Sequence, residues 1–134
     1  MLTAQPAEYI QYFRPFDFDT ETLRHLLAAA RNDVYMGFFV DDALAGFFML
    51  RGWDAGYAIP AYGVTIAQSF AGIGLATLSL DTSKTLCRLS DVKRLMLKVH
   101  PDNLGAKRIY EKAGFLQTGV DAHNANLIYH FDFS

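Results

Sequence analysis

The apolar positions of this chain change period several times, and each change marks an element. Tyr9 to Phe16 alternates well enough for a strand, which Arg14-Pro15 would close. Capping side chains at Asp17 to Thr20 then precede Leu23, Leu26, Leu27 and Ala30, spaced as one face of a helix. Val34–Val40 and Leu44–Leu50 are rich in β-formers, with a hairpin turn expected at Asp41-Asp42-Ala43. Two glycines and a proline break the pattern across Gly52–Pro60, which predicts a loop, and a strand resumes at Ala61–Ala67. Leu75, Leu78, Thr82, Leu86 and Leu89 form a helical stripe, with Ser79, Ser83 and Lys84 off it. In Val92–Val99, Leu95, Leu97 and Val99 share one face of a strand. A short helix begins at Asn103 and stops at Gly114, a C′ glycine, before strands at Leu116–Val120 and Leu127–Phe133. The predicted order is β-α-β-β-β-α-β-α-β-β, an α/β chain with a mixed sheet and helices packed on it.

Composition supports one folded domain spanning 1–134: the chain is 51 % hydrophobic, 14 % aromatic and 19 % charged. A net charge of −2 argues against a general nucleic-acid partner, which would call for a basic face. No apolar run reaches the length of a membrane span. The first residues carry no basic segment followed by an apolar stretch, so no signal peptide is expected. A lone Cys87 excludes an intrachain disulfide and fits a reducing, cytoplasmic setting, with the thiol expected as a small buried hydrophobe. His25, His100, His123 and His130 lack metal-ligand spacing, so no metal is expected.

Two segments carry chemistry. Ser69-Phe-Ala-Gly-Ile-Gly-Leu75 is a glycine turn from a strand into a helix, where backbone N–H groups and the helix dipole favour an anion. An ordinary tight turn would use the same residues. A dinucleotide fold would want a third glycine where Thr77 stands, and no Gly-Lys-Ser/Thr follows, so neither a dinucleotide site nor a P-loop is indicated. The second segment, Asn103-Leu-Gly-Ala-Lys-Arg-Ile-Tyr-Glu-Lys-Ala-Gly-Phe115, is a helix with an amide side chain at its start and Tyr110 on one face.

In this order, with a strand between them, the two segments resemble the GNAT superfamily of acyl-CoA-dependent N-acyltransferases. The likeness covers nearly the whole chain in element order and about half of it in motif. The family turn usually opens with Arg or Gln; here that position falls on Ser69, with Gln68 one residue early. The resemblance implies acetyl-CoA as co-substrate. Its diphosphate would meet the N–H groups of Phe70, Ala71, Gly72, Ile73, Gly74 and Leu75. Its pantetheine arm would pair with Val64, Thr65 and Ile66, in a V-shaped slot between strands ending near Ala67 and Val99. Asn103 and Ala106 would flank that arm, although Asn103 is equally a helix N-cap. Tyr110 would face the sulfur and donate a proton or a hydrogen bond to the departing thiolate.

An amine acceptor must also lose a proton. None of the glutamates Glu8, Glu21 and Glu111 falls on the central strand, which leaves Asp54 and His100 as candidate bases. A turn-capping aspartate and a loop histidine are their structural alternatives. Trp53, Asp54, Tyr57 and Tyr62 would frame an acceptor pocket suited to a small polar amine, such as an amino sugar or amino acid. The resulting expectation is an N-acetyltransferase working by direct attack. Its rival is a non-catalytic acyl-CoA-binding sensor or assembly domain. Phe38-Phe39 and Phe47-Phe48 permit a homodimer without requiring one.

Overall fold

The computed structural model describes residues 32–133, which form one six-stranded sheet with two helices on one face. The strands are β1 (Val34–Val40), β2 (Ala43–Arg51), β3 (Ala61–Ile66), β4 (Arg94–Val99), β5 (Leu116–Val120) and β6 (Leu127–Asp132), in spatial order β1-β2-β3-β4-β6-β5. The helices are α1 (Leu75–Leu89) and α2 (Leu104–Lys112). Every element expected from Val34 onward is present. The strand expected at Tyr9–Phe16 and the helix at Thr20–Ala30 lie outside the described residues.

Local chemistry accounts for the connections. Asp41 and Asp42 both take positive φ, 48° and 66°, as a two-residue hairpin turn matched to strand twist demands. Gly46 on β2 lets β3 come close, because a Cβ there would lie 2.3 Å from the Thr65 carbonyl oxygen. Helix α1 carries the chain from β3 to β4, and a crossover of this kind makes that pair parallel.

The core lies between the helices and one face of the sheet. Phe48, Leu50, Tyr62, Leu95, Leu97, Val99 and Tyr129 supply the sheet side, and Leu80, Cys87 and Tyr110 the helix side. The buried face of α1 departs from expectation. Leu78 and Leu89 are 53 % and 79 % exposed, whereas Ser79, Leu80, Ser83 and Cys87 are buried. Small side chains every fourth residue let this helix settle close to the sheet, leaving room for the Tyr62 ring beneath it. The Ser79 hydroxyl donates to the Ala76 carbonyl at 2.7 Å, so its oxygen accepts from the Tyr62 hydroxyl. Burial pushes the Cys87 thiol up to about 11, which keeps it protonated and unreactive at neutral pH.

The Ser83 hydroxyl is buried and has no hydrogen-bond partner among the described residues. Ser83→Ala removes that cost and improves helix propensity, so it is expected to stabilise the fold by about 1 kcal/mol, or about 4 °C in Tm. Calorimetric unfolding of the variant checks this, and an unchanged or lowered Tm would mean that the hydroxyl has a partner.

Candidate functional site

The parallel pair at the centre of the sheet is short. β3 and β4 pair only at Ala61 with Met96 and Tyr62 with Leu97, supported by the Met96 N–H to Pro60 carbonyl bond of 3.0 Å. Beyond that point Val64 to Ile66 pair with β2 alone, and Lys98 and Val99 with β6 alone. The two strands therefore part toward their carboxyl ends. Helix α1 follows β3 and α2 follows β4, so both helix N-termini begin at the carboxyl-end side of this gap. Their dipoles make that edge favourable to negative charge.

The glycine turn reaches α1 through left-handed backbone, with φ of +80° at Gly72 and +93° at Gly74. Among the described residues nothing stands within 4 Å of where a Cβ would project from either glycine, which leaves the turn open on that side to an approaching ligand. The first backbone bond of α1 runs from Leu78 N–H to the Gly74 carbonyl at 3.0 Å, so the N–H groups of Leu75 to Thr77 lie ahead of it. One expectation is corrected here. The N–H groups of Phe70 and Ala71 donate to Ala67 and Gln68 carbonyls in a single 3-10 turn, Gln68–Phe70. The run of amides that can meet an anion therefore starts at Gly72.

At α2 the Asn103 side-chain oxygen accepts the Ala106 N–H at 3.3 Å, which is the cap, and its side-chain N–H₂ remains as a donor. Tyr110 packs edge-on against Tyr62 with ring centroids 6.1 Å apart, and against Phe115 at 6.3 Å. Only 9 % of it is exposed, and burial pushes its hydroxyl up to about 12.

The opposite face of the sheet holds a cavity of about 740 Å³, in the size range of small-molecule sites. Strand residues alternating with the core line its floor: Met49, Ala61, Gly63, Met96, Lys98 and His130. Tyr57 and Arg51 stand on one side, and Asn124 and Asn126 of the β5–β6 loop on the other. The salt bridge from Lys98 to Asp121, 2.8 Å, ties that loop to β4 and holds the Asp121 carboxyl below the usual carboxylate range, with help from the His123 N–H.

Of the residues expected to frame an acceptor, Tyr57 lines this cavity, whereas Tyr62 borders it from the strand and turns its ring to the other face, beneath α1 and onto Ser79. Trp53 instead packs against the core. Asp54 is part of a clasp. Its carboxylate accepts the Asn32 and Asp33 N–H groups at 2.8 and 3.3 Å, while Asp33 accepts those of Gly52 and Asp54 at 3.1 Å each. This pins the loop after β2 to the start of β1. His100 accepts the Asp102 N–H on Nδ1 at 3.1 Å, a contact that caps the loop after β4. The geometry thus favours the capping alternatives for both residues. His130 also lines the cavity, and the signal for it in the sequence is the alternation of Ile128, His130 and Asp132 with Tyr129 and Phe131, which sets it on the face away from the core.

Among solved structures, the chain is similar to a domain from Methanocaldococcus jannaschii DSM 2661, with a TM-score of 0.78 at 14 % identity, covering 96 % of this chain and 86 % of that one. It is also similar to the paiA N-acetyltransferase from Thermoplasma acidophilum in complex with coenzyme A, with a TM-score of 0.69 at 18 % identity, covering 84 % and 67 %. A third is the RimL ribosomal L7/L12 alpha-N-protein acetyltransferase, with a TM-score of 0.73 at 19 % identity, covering 92 % and 76 %. No curated protein matches. Likeness at these identities establishes the fold, and the sequence match supplies the family. The acetyltransferase (GNAT) family matches residues 3–115, most of the chain and both glycine-turn and Tyr110 segments, and the chain belongs to that family.

Proposed function

We propose that this chain transfers the acetyl group of acetyl-CoA to a primary amine of a small molecule, by direct attack across the gap between β3 and β4. The observation that carries this reading is the two-residue pairing of β3 with β4, with helix N-termini on one face and a cavity on the other. A donor held on the helix face and an acceptor in the cavity would meet at the opening. Acetyl-CoA supplies the activated acetyl group when bound, and the residues present fit it. The open backbone at Gly72 and Gly74 and the amides to Thr77 would hold the diphosphate, and Val64 to Ile66 would pair with the pantetheine arm as an added strand would. The Asn103 side-chain N–H₂ would donate to the same arm, and unpaired β3 amides beyond Tyr62 would polarise the acetyl carbonyl.

Burial refines the role of Tyr110. A hydroxyl near 12 is too weak an acid to protonate outright an ordinary thiolate, whose conjugate acid is near 8.5. Tyr110 therefore stabilises the departing sulfur by donating a hydrogen bond. The amine class remains broad: amino sugars and amino acids fit a cavity of this size, and so does a peptide N-terminus, the kind of acceptor the name of the RimL relative states.

The test is calorimetric titration with acetyl-CoA, with ATP and NADPH as controls, followed by thiol release with glucosamine, an amino-acid amide and a short peptide. Selective micromolar binding with acceptor-dependent release is expected. Binding with no release from any amine would favour a sensor, and no binding by folded protein would refute the acetyltransferase reading. Tyr110→Phe is expected to slow turnover by about 10²-fold with acetyl-CoA affinity unchanged, as steady-state rates and calorimetry would report. Gly72→Val places a branched side chain in the turn at positive φ; acetyl-CoA affinity should fall at least tenfold, and an unchanged affinity would locate the diphosphate elsewhere.

A further inference from the structure

The β5–β6 pair contains an irregularity with a chemical consequence. Gln117 pairs with Tyr129 and Gly119 with Ile128, so Thr118 is an extra residue on the edge strand, a bulge of the kind that re-aims a side chain. The Thr118 hydroxyl lies in hydrogen-bond contact with His130 Nδ1 and reaches the Ile128 carbonyl at 3.4 Å. A hydroxyl has one proton, and a carbonyl can only accept. When Thr118 donates to Ile128, His130 donates its Nδ1–H to Thr118. The other ring nitrogen, Nε2, then keeps its lone pair, and the imidazole lines the cavity.

His130 pairs across the sheet with Met96, which in turn pairs with Ala61. That row sits one residue before the point where β3 and β4 part, about 5 Å from β4 and about 10 Å from β3. We propose that His130 is the proton acceptor for the amine and that Thr118 is its positioning residue, an inference that rests on the acetyl-transfer reading above. In that step the amine nitrogen bonds to the acetyl carbon of acetyl-CoA and the carbon–sulfur bond breaks. The proton lost by nitrogen goes to His130 Nε2, and the sulfur leaves as thiolate, to be protonated from solvent. The base is restored when His130 releases its proton.

The surroundings favour a neutral ring. Burial lowers its proton affinity and Arg94 on β4 lowers it further, while Asp132 on β6 opposes them; Thr118 on β5 is uncharged, and the cavity holds Lys98 and Arg51 as cations and Asp33 as an anion. The basic form is thus present above an ionisation that lies below the ordinary histidine value of about 6.5.

Nitrogen NMR of the imidazoles tests the geometry without an acceptor. Nε2 of His130 should be unprotonated at pH 7, and Thr118→Val should disturb that tautomer. A proton found on Nε2 overturns the proposal. Rates test the chemistry, with glucosamine and alaninamide as amines and thiol release as readout. His130→Asn should lower kcat by about 10²-fold or more and abolish the acidic limb of the pH profile, with acetyl-CoA affinity kept. Thr118→Val should lower kcat less and shift that limb. An unchanged rate in His130→Asn overturns the proposal alone, whereas wild-type protein that binds no acetyl-CoA overturns the acetyl-transfer reading with it.

Discussion

A parallel strand pair that separates after two residues leaves part of a sheet centre without its ladder. That constraint governs the rest of the molecule. On one side of the gap stand β1, β2 and β3, and on the other β4, β6 and β5; among the described residues, two paired residues and the Met96–Pro60 bond are the backbone links between these halves. Side chains must join them. Phe48, Leu50 and Tyr62 from one half and Leu95, Leu97 and Tyr129 from the other enter one cluster with Leu80, Cys87 and Tyr110. The helical layer is thus the clamp that permits the sheet to open, and its close seating on small residues follows from that role. Serines where leucines would be expected let the tyrosine of the last paired row reach up to the helix.

The opening has different chemistry on its two faces. On the helix side, two N-termini, an open glycine turn and a buried phenol suit a phosphorylated, extended donor ending in a leaving group that acquires negative charge. On the other side, alternation brings Met49, Met96, Lys98 and His130 to a cavity walled by a tyrosine and two asparagines, which suits a small polar molecule. Under the proposed reading, one sheet separates a donor surface from an acceptor surface and joins them at the gap.

Much of this was legible in the sequence. The period-two and helical patterns located every described strand and both α-helices, because apolar spacing follows the repeat of the backbone. Gly72 and Gly74 were recognisable because only glycine accepts their φ so readily, and the Asn103-to-Phe115 segment because a cap and a C′ glycine bound it. The face of α1 was misjudged. Leucine periodicity reports hydrophobicity, and it is silent about a helix that seats Ser79, Ser83 and Cys87 beside Leu80 against the sheet. The amides of Phe70 and Ala71 were likewise misjudged, because a 3-10 turn has no sharp sequence signal.

By itself, then, the sequence determined the order and kind of elements, the glycine turn, the capped tyrosine helix and the family likeness, since these rest on interactions between residues near one another in the chain. Only the tertiary structure decided where the strands part and which polar side chains share a cavity. Asp54 is the clearest case: a loop carboxylate looks available until Asn32 and Asp33, distant in sequence, are seen to occupy it. His130 is the converse, an isolated histidine that acquires a fixed ring only through a bulge on the neighbouring strand. Hydrogen-bond partners of polar side chains come from residues far along the chain, and pairing across a sheet is what brings them together.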